Sequence, residues 1–393
     1  MSALRVLHLN TQFASMGGLE AVLRRHHEDD ARFGLDSRIV VYYEPGIDGW
    51  PRARFLNFSD KTSISQARAR QFSALHDFEP DVALYHTAWG VPYLADLDRS
   101  RRRVLMLHSD IPGLDRFLHS RLPWMDAVIG VSRTLLDRAV AAAPSLGFGP
   151  ERMHLAPYPV VPPPMPPRPQ RDPGQPLVIG YCGRLVREQK RVERLVELVA
   201  HLDSIGVRYR LELLGEGPER AALEASLADR SHVVFHGRKS GGAYWDVLRS
   251  WDVMVFTSDY EGTPIALLEG LAAGVLPLHP ELNCGGDHLA ARVSPSLVFP
   301  AGDLKGAAMA LKTLASTPVG EWDVLRTCAM AAVEPHLGDR YLSGIATFLK
   351  SLPHLPDRNK PPFPSRPWPV DHLAFSTLDR ISSLKRRILG GGR

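Results

Sequence analysis

The sequence predicts an α/β protein with two doubly wound, Rossmann-like domains. Short apolar runs alternate with segments of helical periodicity in both halves of the chain, and a proline-dense stretch separates the halves. At 393 residues the chain is also too long for one ordinary core. We therefore expect a first domain over residues 1–160, a semi-rigid linker over 161–176, a second domain over 177–352, and a crossing segment with a basic terminal helix over 353–393.

Five apolar runs in the first half predict buried parallel strands. They cover residues 4–9, 38–43, 81–85, 104–107 and 127–131. A helix is predicted from Gly18 to about His27, because Leu19, Val22 and Leu23 recur on one face. Alternation of this kind forms a parallel sheet with helices on both of its faces.

The second half repeats this alternation. Strands are predicted over 177–181, 210–214, 233–235, 252–256 and 275–278, and helices over 192–205, 218–228, 243–251, 267–273, 303–314, 319–334 and 339–352. Between the halves, the proline-rich residues 157–176 can form neither a helix nor a central strand. The boundary between the domains is therefore predicted in this stretch.

Composition excludes several classes of protein. Hydrophobic residues make up 44% of the chain and charged residues 23%, as in ordinary globular proteins. No run of eighteen apolar residues occurs, and residues 1–9 are too short and polar for a signal peptide, so we expect a cytoplasmic protein. Cys182, Cys284 and Cys328 lack metal-ligand spacing, and their odd number argues against a disulfide framework. We interpret all three as bystander thiols.

The net charge of +4 originates in the C-terminal segment. Residues 358–393 contain eight basic and two acidic side chains, which leaves about −2 on the rest of the chain. A basic excess confined to one end suits a membrane surface or a partner better than a nucleic-acid duplex. We therefore expect no nucleic-acid partner, and the tail is either a peripheral membrane contact on the inner face or a solvated helix end.

Glu261 and Glu269 are the most informative pair in the chain. They follow the predicted strand 252–256 and lie on either side of a loop and the start of a helix. The loop consists of Gly262, Thr263 and Pro264. Free backbone N–H groups at such a helix start can bind an anion, whereas carboxylates accept hydrogen bonds from hydroxyls. A nucleotide sugar carries both groups; two solvated glutamates are the alternative interpretation.

This segment closely resembles the paired-glutamate motif of the retaining family 4 glycosyltransferases, which have the two-domain GT-B fold. The resemblance implies that Glu261 and the loop backbone contact the donor sugar and that Glu269 binds the nucleotide ribose. It also implies a cleft between the domains and a C-terminal helix that returns to the first domain. Residues 279–286 depart from the family, which usually has a serine or threonine turn before paired glycines. Donor selectivity is therefore left open.

A second motif supplies cations. Gly183 and Arg184 follow strand 177–181, and Lys190 precedes the next helix, so these residues lie where open sheets bind ligands. Two cations there can neutralise a departing diphosphate, and the stretch resembles the diphosphate-binding motif of the same family. Ordinary surface cations are the alternative. Residues 258–260 contain a single acid, so we expect no metal, and no cofactor beyond the nucleoside-diphosphate sugar as co-substrate.

Two glycine loops and a histidine complete the predicted site. Gly17 and Gly18 occupy the place of the family's first-loop motif, which faces the donor phosphates and the acceptor. Gly215 opens a loop that the resemblance places near the base and diphosphate. His108 ends a strand where the family carries a histidine that contacts the donor sugar, with His86 as the second choice. Simple turns and a capped histidine are the alternative interpretations.

Together these features predict a retaining glycosyltransferase that moves a sugar from a nucleoside-diphosphate sugar to an acceptor hydroxyl in glycan or glycoconjugate biosynthesis. Catalytic roles are predicted for His108, Glu261, Arg184 and Lys190. No phosphate-binding P-loop and no nucleophile elbow occurs in the sequence. Two alternatives remain: a nucleotide-sugar-binding protein of the same fold without transfer, and an epimerase or phosphorylase. The sugar, the base and the acceptor are open.

Overall fold

The computed structural model contains two parallel β-sheets in series, one in each half of the chain. It describes residues 3–12, 18–47, 49–87, 89–142, 146, 148–166, 168, 170–172, 174–363, 368 and 370–377. Among these residues no helix is both long and apolar enough to span a membrane. The predictions for Gly17 and for the basic helix within 378–393 lie outside the described part of the chain.

The first sheet is built from seven strands. They are β1 (Leu4–Asn10), β2 (Leu35–Val41), β3 (Ala53–Phe55), β4 (Val82–Tyr85), β5 (Arg102–Leu107), β6 (Ala127–Gly130) and β7 (Met153–Leu155). The accompanying helices are α1 (Gly18–Asp29), α2 (Ile64–Leu75), α3 (Val91–Leu94), α4 (Leu114–Arg121) and α5 (Arg133–Ala142). All strands pair in parallel, in the order β3-β2-β1-β4-β5-β6-β7. Central β1 buries Val6, Leu7 and Leu9 completely, since helices cover both of its faces.

The second sheet has six parallel strands. They are β8 (Leu177–Cys182), β9 (Tyr209–Leu214), β10 (Val233–Gly237), β11 (Val253–Val255), β12 (Leu276–Glu281) and β13 (Val298–Pro300), in the order β10-β9-β8-β11-β12-β13. The helices are α6 (Arg194–Ser204), α7 (Arg220–Ser226), α8 (Gly241–Ser250), α9 (Ile265–Ala272), α10 (Gly285–Val293), α11 (Leu304–Ala315), α12 (Val319–Val333) and α13 (Arg340–Ser351). In β8, a Cβ on Gly180 would lie 1.9 Å from the buried Trp251 ring, so this core requires glycine.

Both sheets reverse their strand order once, between β1 and β4 in the first and between β8 and β11 in the second. In open α/β sheets, ligands bind outside the carboxyl ends of the strands at such a reversal. The two carboxyl edges face each other here, because Ser109 forms a backbone bridge with Gly262. Asp110 N also donates to Glu261 O at 3.2 Å. The fold therefore places the predicted loops of both domains in one cleft.

Residues 350–357 pack on the first domain. Lys350 Nζ donates to Phe33 O at 2.6 Å, and Arg102 Nε donates to Leu352 O at 3.0 Å. Arg102 Nη1 also pairs with Asp357 Oδ1 at 2.6 Å. The predicted second domain ends at residue 352, directly after α13. Helix α13 therefore falls within the predicted second domain although it packs on the first. The described residues of the proline-rich segment 161–176 form neither helix nor strand.

Candidate functional site

Glycine-containing loops line a cavity in the second domain. The loops after β8 and β9 approach so closely that a Cβ on Gly215 would lie 1.9 Å from Gly183 O. A Cβ on Gly217 would likewise lie 2.2 Å from Leu185 O. Any side chain at Gly215 or Gly217 would therefore force the two loops apart.

These loops border a cavity of about 730 Å³, which also reaches α1 of the first domain. Its charged and polar lining side chains include Arg24, Arg184, Glu216, Arg238, Lys239, Ser240, Tyr244 and Glu269. Four of these eight are cations, so the cavity suits an anionic ligand such as a diphosphate. Predicted residues Gly18, Gly183, Arg184, Gly215 and Glu269 all line it.

Arg184 is a predicted cation that lies on the wall of this cavity. Its side chain is exposed, and Nη2 donates to Gln189 Oε1 at 2.9 Å. The backbone of Arg184 is held from behind, because Tyr181 Oη donates to Arg184 O at 3.0 Å. An exposed guanidinium on a fixed backbone can turn toward a bound phosphate without breaking a buried contact.

Glu261 and Lys190 form an ion pair with each other, with Lys190 Nζ 2.5 Å from Glu261 Oε1. Ser258 Oγ donates to the same oxygen at 2.6 Å, and Gln189 Nε2 lies 3.5 Å from Oε2. Glu261 is only 4% exposed. It lines a separate cavity of about 420 Å³ between the domains, whose opposite wall includes Asp110. The two predicted glutamates therefore face neighbouring cavities rather than a shared one.

Glu269 lies in α9 at the wall of the larger cavity. Tyr244 Oη donates to Glu269 Oε2, and the same hydroxyl lies 3.5 Å from Cys182 Sγ. Burial raises the pKa of Glu269 to about 7, although the bond from Tyr244 opposes the rise. Burial also raises the pKa of Cys182 to about 12, so this thiol is inert at neutral pH.

The raised pKa of Glu269 predicts pH-dependent nucleotide binding. Ribose hydroxyls are bound best by an ionised carboxylate, so the dissociation constant should increase as the pH falls from 8 to 6. Well below pH 7, each further decrease of one pH unit should raise the dissociation constant by up to about tenfold. Calorimetric titration of a nucleoside diphosphate at several pH values measures it. Glu269→Gln should retain only the dependence that comes from the phosphates, and Tyr244→Phe should move the midpoint to higher pH.

His108 follows β5 and lies beside the Glu261 loop, but both of its ring nitrogens already have partners. Nε2 lies 3.0 Å from Nδ1 of His86, and Nδ1 contacts the hydroxyl of Tyr158. Burial lowers the pKa of His108 to about 3, so its ring is neutral. The structure therefore brings both candidate histidines together. A sugar hydroxyl could bond to a ring nitrogen of His108 only by displacing one of these partners.

Glycines also allow the two domains to touch at the cleft. A Cβ on Gly262 would lie 2.1 Å from His108 O, and a Cβ on Gly18 would lie 2.9 Å from Ile265 Cδ1. Gly18 begins α1 of the first domain, whereas Ile265 begins α9 of the second. Both contacts cross the cleft, so both glycines set the separation of the domains.

The rest of the predicted loop is buried behind this contact. Thr263 is 5% exposed, and Pro264 is the residue that immediately precedes α9. Gly285 N donates to Gly262 O at 2.9 Å, and a Cβ on Gly285 would lie 1.9 Å from Thr263 Oγ1. The glycines that start α10 are thus part of the site, although their segment departs from the family pattern.

Several lining residues were not predicted. Arg238 and Lys239 directly follow β10, and the rule that identified Arg184 after β8 would also have found them. Arg24 comes from the first domain, and Tyr244 from the middle of α8. These two carry no local signal, because only the folded chain brings them to the cavity.

Among the described residues, one group of three histidine or acidic side chains has the geometry to hold a metal ion. It consists of His8, His26 and Asp30, which are fully buried in the first domain. None of the three lines the larger cavity.

The chain is similar in sequence and in fold to known proteins. Residues 167–317 match the family model of the glycosyl transferases group 1. The putative glycosyltransferase EpsF of Bacillus subtilis (strain 168) is 35% identical over 102 residues, which are 25% of this chain and 26% of EpsF. A GDP-mannose-dependent alpha-mannosyltransferase of Mycobacterium tuberculosis (strain CDC 1551 / Oshkosh) is 30% identical over 132 residues, 34% of this chain and 32% of that protein.

The fold matches over a greater length. The apo form of the lipopolysaccharide outer core galactosyltransferase WaaB superposes with a TM-score of 0.66 at 18% identity, covering 88% of this chain and 99% of WaaB. By sequence, in contrast, the chain spans about a quarter to a half of the curated relatives, with 26%, 37% and 48% of three of them covered. This chain therefore has the GT-B fold, and its residues 167–317 match the glycosyl transferases group 1 family.

Proposed function

We propose that this protein is a retaining glycosyltransferase that moves a sugar from a nucleoside-diphosphate sugar to an acceptor hydroxyl. The observation that carries the proposal is the cavity of about 730 Å³, in which four cations and two carboxylates, Glu216 and Glu269, converge at the strand reversal of the second sheet. A diphosphate requires the cations and a ribose requires the acceptor oxygens. The adjoining cavity of about 420 Å³ at Glu261 gives a separate space for the acceptor.

The ion pair between Lys190 and Glu261 suggests how the donor engages. Without donor, each side chain neutralises the charge of the other in a position largely shielded from solvent. We propose that the diphosphate of the bound donor replaces Glu261 as the ion-pair partner of Lys190. Glu261 then directs one carboxylate oxygen to the hydroxyls of the sugar. Glu269 accepts the ribose hydroxyls, and Arg184 binds the phosphate on the open side.

We propose same-face attack for the transfer. The bond from the anomeric carbon to the phosphate oxygen breaks as the bond to the acceptor oxygen forms, and the acceptor proton moves to the departing phosphate. Fixed cations stabilise the negative charge that collects on that phosphate. The contact of both domains at Gly262 supports exclusion of water from the donor.

Transfer by purified protein tests this function. We expect release of the nucleoside diphosphate from at least one of a panel of UDP- and GDP-sugars, including GDP-mannose because the mycobacterial relative is GDP-mannose-dependent. Release should increase with acceptor, and NMR should show a product with the anomeric configuration of the donor. Binding without release would instead support a nucleotide-sugar-binding protein, and inversion would contradict the same-face step.

Arg184→Ala should weaken donor use about ten- to hundredfold, because a hydrogen bond to a charged group contributes about 1.5–3 kcal/mol. The effect should appear in KM for the donor. Arg187→Ala is a matched control from the same loop, since Arg187 is exposed and pairs with Glu219 at 3.1 Å instead of lining the cavity. Equal kinetics of the two variants would remove Arg184 from the donor site.

A further inference from the structure

Three histidines in the first domain form a continuous chain of contacts that ends at the cleft. Nδ1 of His8 lies 3.0 Å from Nε2 of His86, and Nδ1 of His86 lies 3.0 Å from Nε2 of His108. The chain ends at the Tyr158 hydroxyl, which contacts Nδ1 of His108. Neighbouring rings stack with centroids 5.3 and 5.2 Å apart. His8 lies in β1, and His86 and His108 directly follow the adjacent strands β4 and β5, so the sheet itself aligns them.

The inner end of this histidine chain meets a buried carboxylate. Nε2 of His8 lies 3.4 Å from Oδ2 of Asp30, within ion-pair distance but without a hydrogen bond, and it has no hydrogen-bonding partner among the described residues. Asp30 is 1% exposed. It also contacts the Ser37 hydroxyl and lies 2.9 Å from Nδ1 of His26. Although burial acts to raise it, the adjacent His26 and His8 hold the pKa of Asp30 well below its usual range, so it is ionised.

The negative charge of Asp30 at the inner end of the histidine chain determines which ring nitrogens carry protons. Burial lowers the pKa of His8, His86 and His108, so each ring is neutral and carries one N–H. A lone pair of His8 Nε2 facing the carboxylate would be repelled, so Nε2 carries the proton and Nδ1 is an acceptor. His86 must then donate through Nε2, and His108 must also donate through Nε2.

We propose that Asp30 is a positioning residue that fixes the tautomer of His108 through His8 and His86. His108 then presents an unprotonated Nδ1, which accepts the Tyr158 hydroxyl. Any substrate hydroxyl that replaces Tyr158 must likewise donate to His108. The role of His108 in transfer rests on the function proposed above, whereas its tautomer follows from the first domain alone.

A metal ion is the competing interpretation of the inner cluster. His8, His26 and Asp30 offer three ligand atoms within 4.8 Å of one another. However, Asp30 would be the sole anionic ligand of that group, which would leave a divalent ion with uncompensated charge in a fully buried place. The 2.9 Å separation of His26 Nδ1 and Asp30 Oδ1 is that of a direct hydrogen bond. The geometry of the cluster therefore favours hydrogen bonds among these side chains over binding of a metal ion.

Nitrogen-15 NMR of the full chain with labelled histidine tests the proposal without any substrate. In the wild type we expect His108 to be protonated at Nε2 and not at Nδ1, with signals assigned by their loss in His108→Gln. Asp30→Asn should reverse the chain, because its amide can donate to His8 Nε2 while its carbonyl still accepts from His26. His108 would then be protonated at Nδ1.

Tyr341→Phe is the matched control. It removes the hydroxyl 3.0 Å from His26 Nε2, so it disturbs the same cluster but not the histidine chain, and His108 should keep its tautomer. Protonation of His108 at Nδ1 in the wild type would overturn the proposal even if Asp30→Asn does not fold. One equivalent of zinc in the purified protein, with His8 and His26 signals that change on chelation, would also overturn it. If the wild-type protein transfers sugar, a kcat of the Asp30→Asn variant that is lower by about one to two orders of magnitude would support the link to catalysis.

Discussion

Lys190→Met should lower kcat/KM for sugar transfer by about 10² to 10³, the largest effect that we expect from a single charge. The substitution removes a fixed cation from the diphosphate and leaves Glu261 buried without its partner at 2.5 Å. Steady-state kinetics with a fixed acceptor measure the loss. Lys312→Met is the control, because this exposed lysine bonds to the backbone oxygen of Ile205 at 3.3 Å rather than to a residue of the predicted donor site.

The effect on catalysis must be separated from that on folding. Loss of one partner from a buried ion pair typically costs about 3–5 kcal/mol of unfolding free energy. The double variant Lys190→Met with Glu261→Gln removes both charges, so its unfolding free energy should recover much of that loss while transfer stays low. If transfer recovered together with stability, Lys190 would have a structural role alone.

Gly262→Ala should lower kcat by about 10² while the protein stays folded. The added Cβ would lie 2.1 Å from His108 O, so the second domain must withdraw from the first. A displacement of about 1 Å between reacting groups can cost about 10² in rate. Since the two domains can separate, each core remains intact and the melting temperature should change little.

Gly320→Ala is the matched control for this substitution. Gly320 is an exposed residue of α12 with no atom near its Cβ position, so alanine should leave transfer unchanged. It should raise the unfolding free energy by about 0.4–1 kcal/mol. Normal transfer by Gly262→Ala would show that the contact between Gly262 and His108 is not part of the working geometry.

Sequence patterns predicted the interior strands of both sheets and missed three of the four edge strands. Strands β3, β7 and β13 are absent from the predictions, and each is an edge strand of three residues. An edge strand packs against one neighbour, so it needs no long apolar run, and β13 even contains Pro300. Strand β2 begins at Leu35 rather than 38, because its first half alternates buried and exposed residues.

The prediction of the site was limited to residues that local sequence patterns identify. Arg184 and Gly215 follow strands β8 and β9, and Glu269 lies in the helix after β11, so each was predicted from one local strand–loop–helix unit. The pairing of Lys190 with Glu261 and the contact of Tyr244 with Glu269 join segments that are distant in the chain. The chain of histidines from Asp30 to His108 crosses three strands whose adjacency depends on sheet order. Such contacts become visible only after folding.

A crystal structure with a bound nucleoside-diphosphate sugar tests the central claim most directly. We expect the ribose hydroxyls within hydrogen-bonding distance of Glu269, the diphosphate against Arg184 and Lys190, and the anomeric carbon directed to the cavity beside Glu261. Donor bound elsewhere, or bound with its sugar directed away from the first domain, would contradict the account.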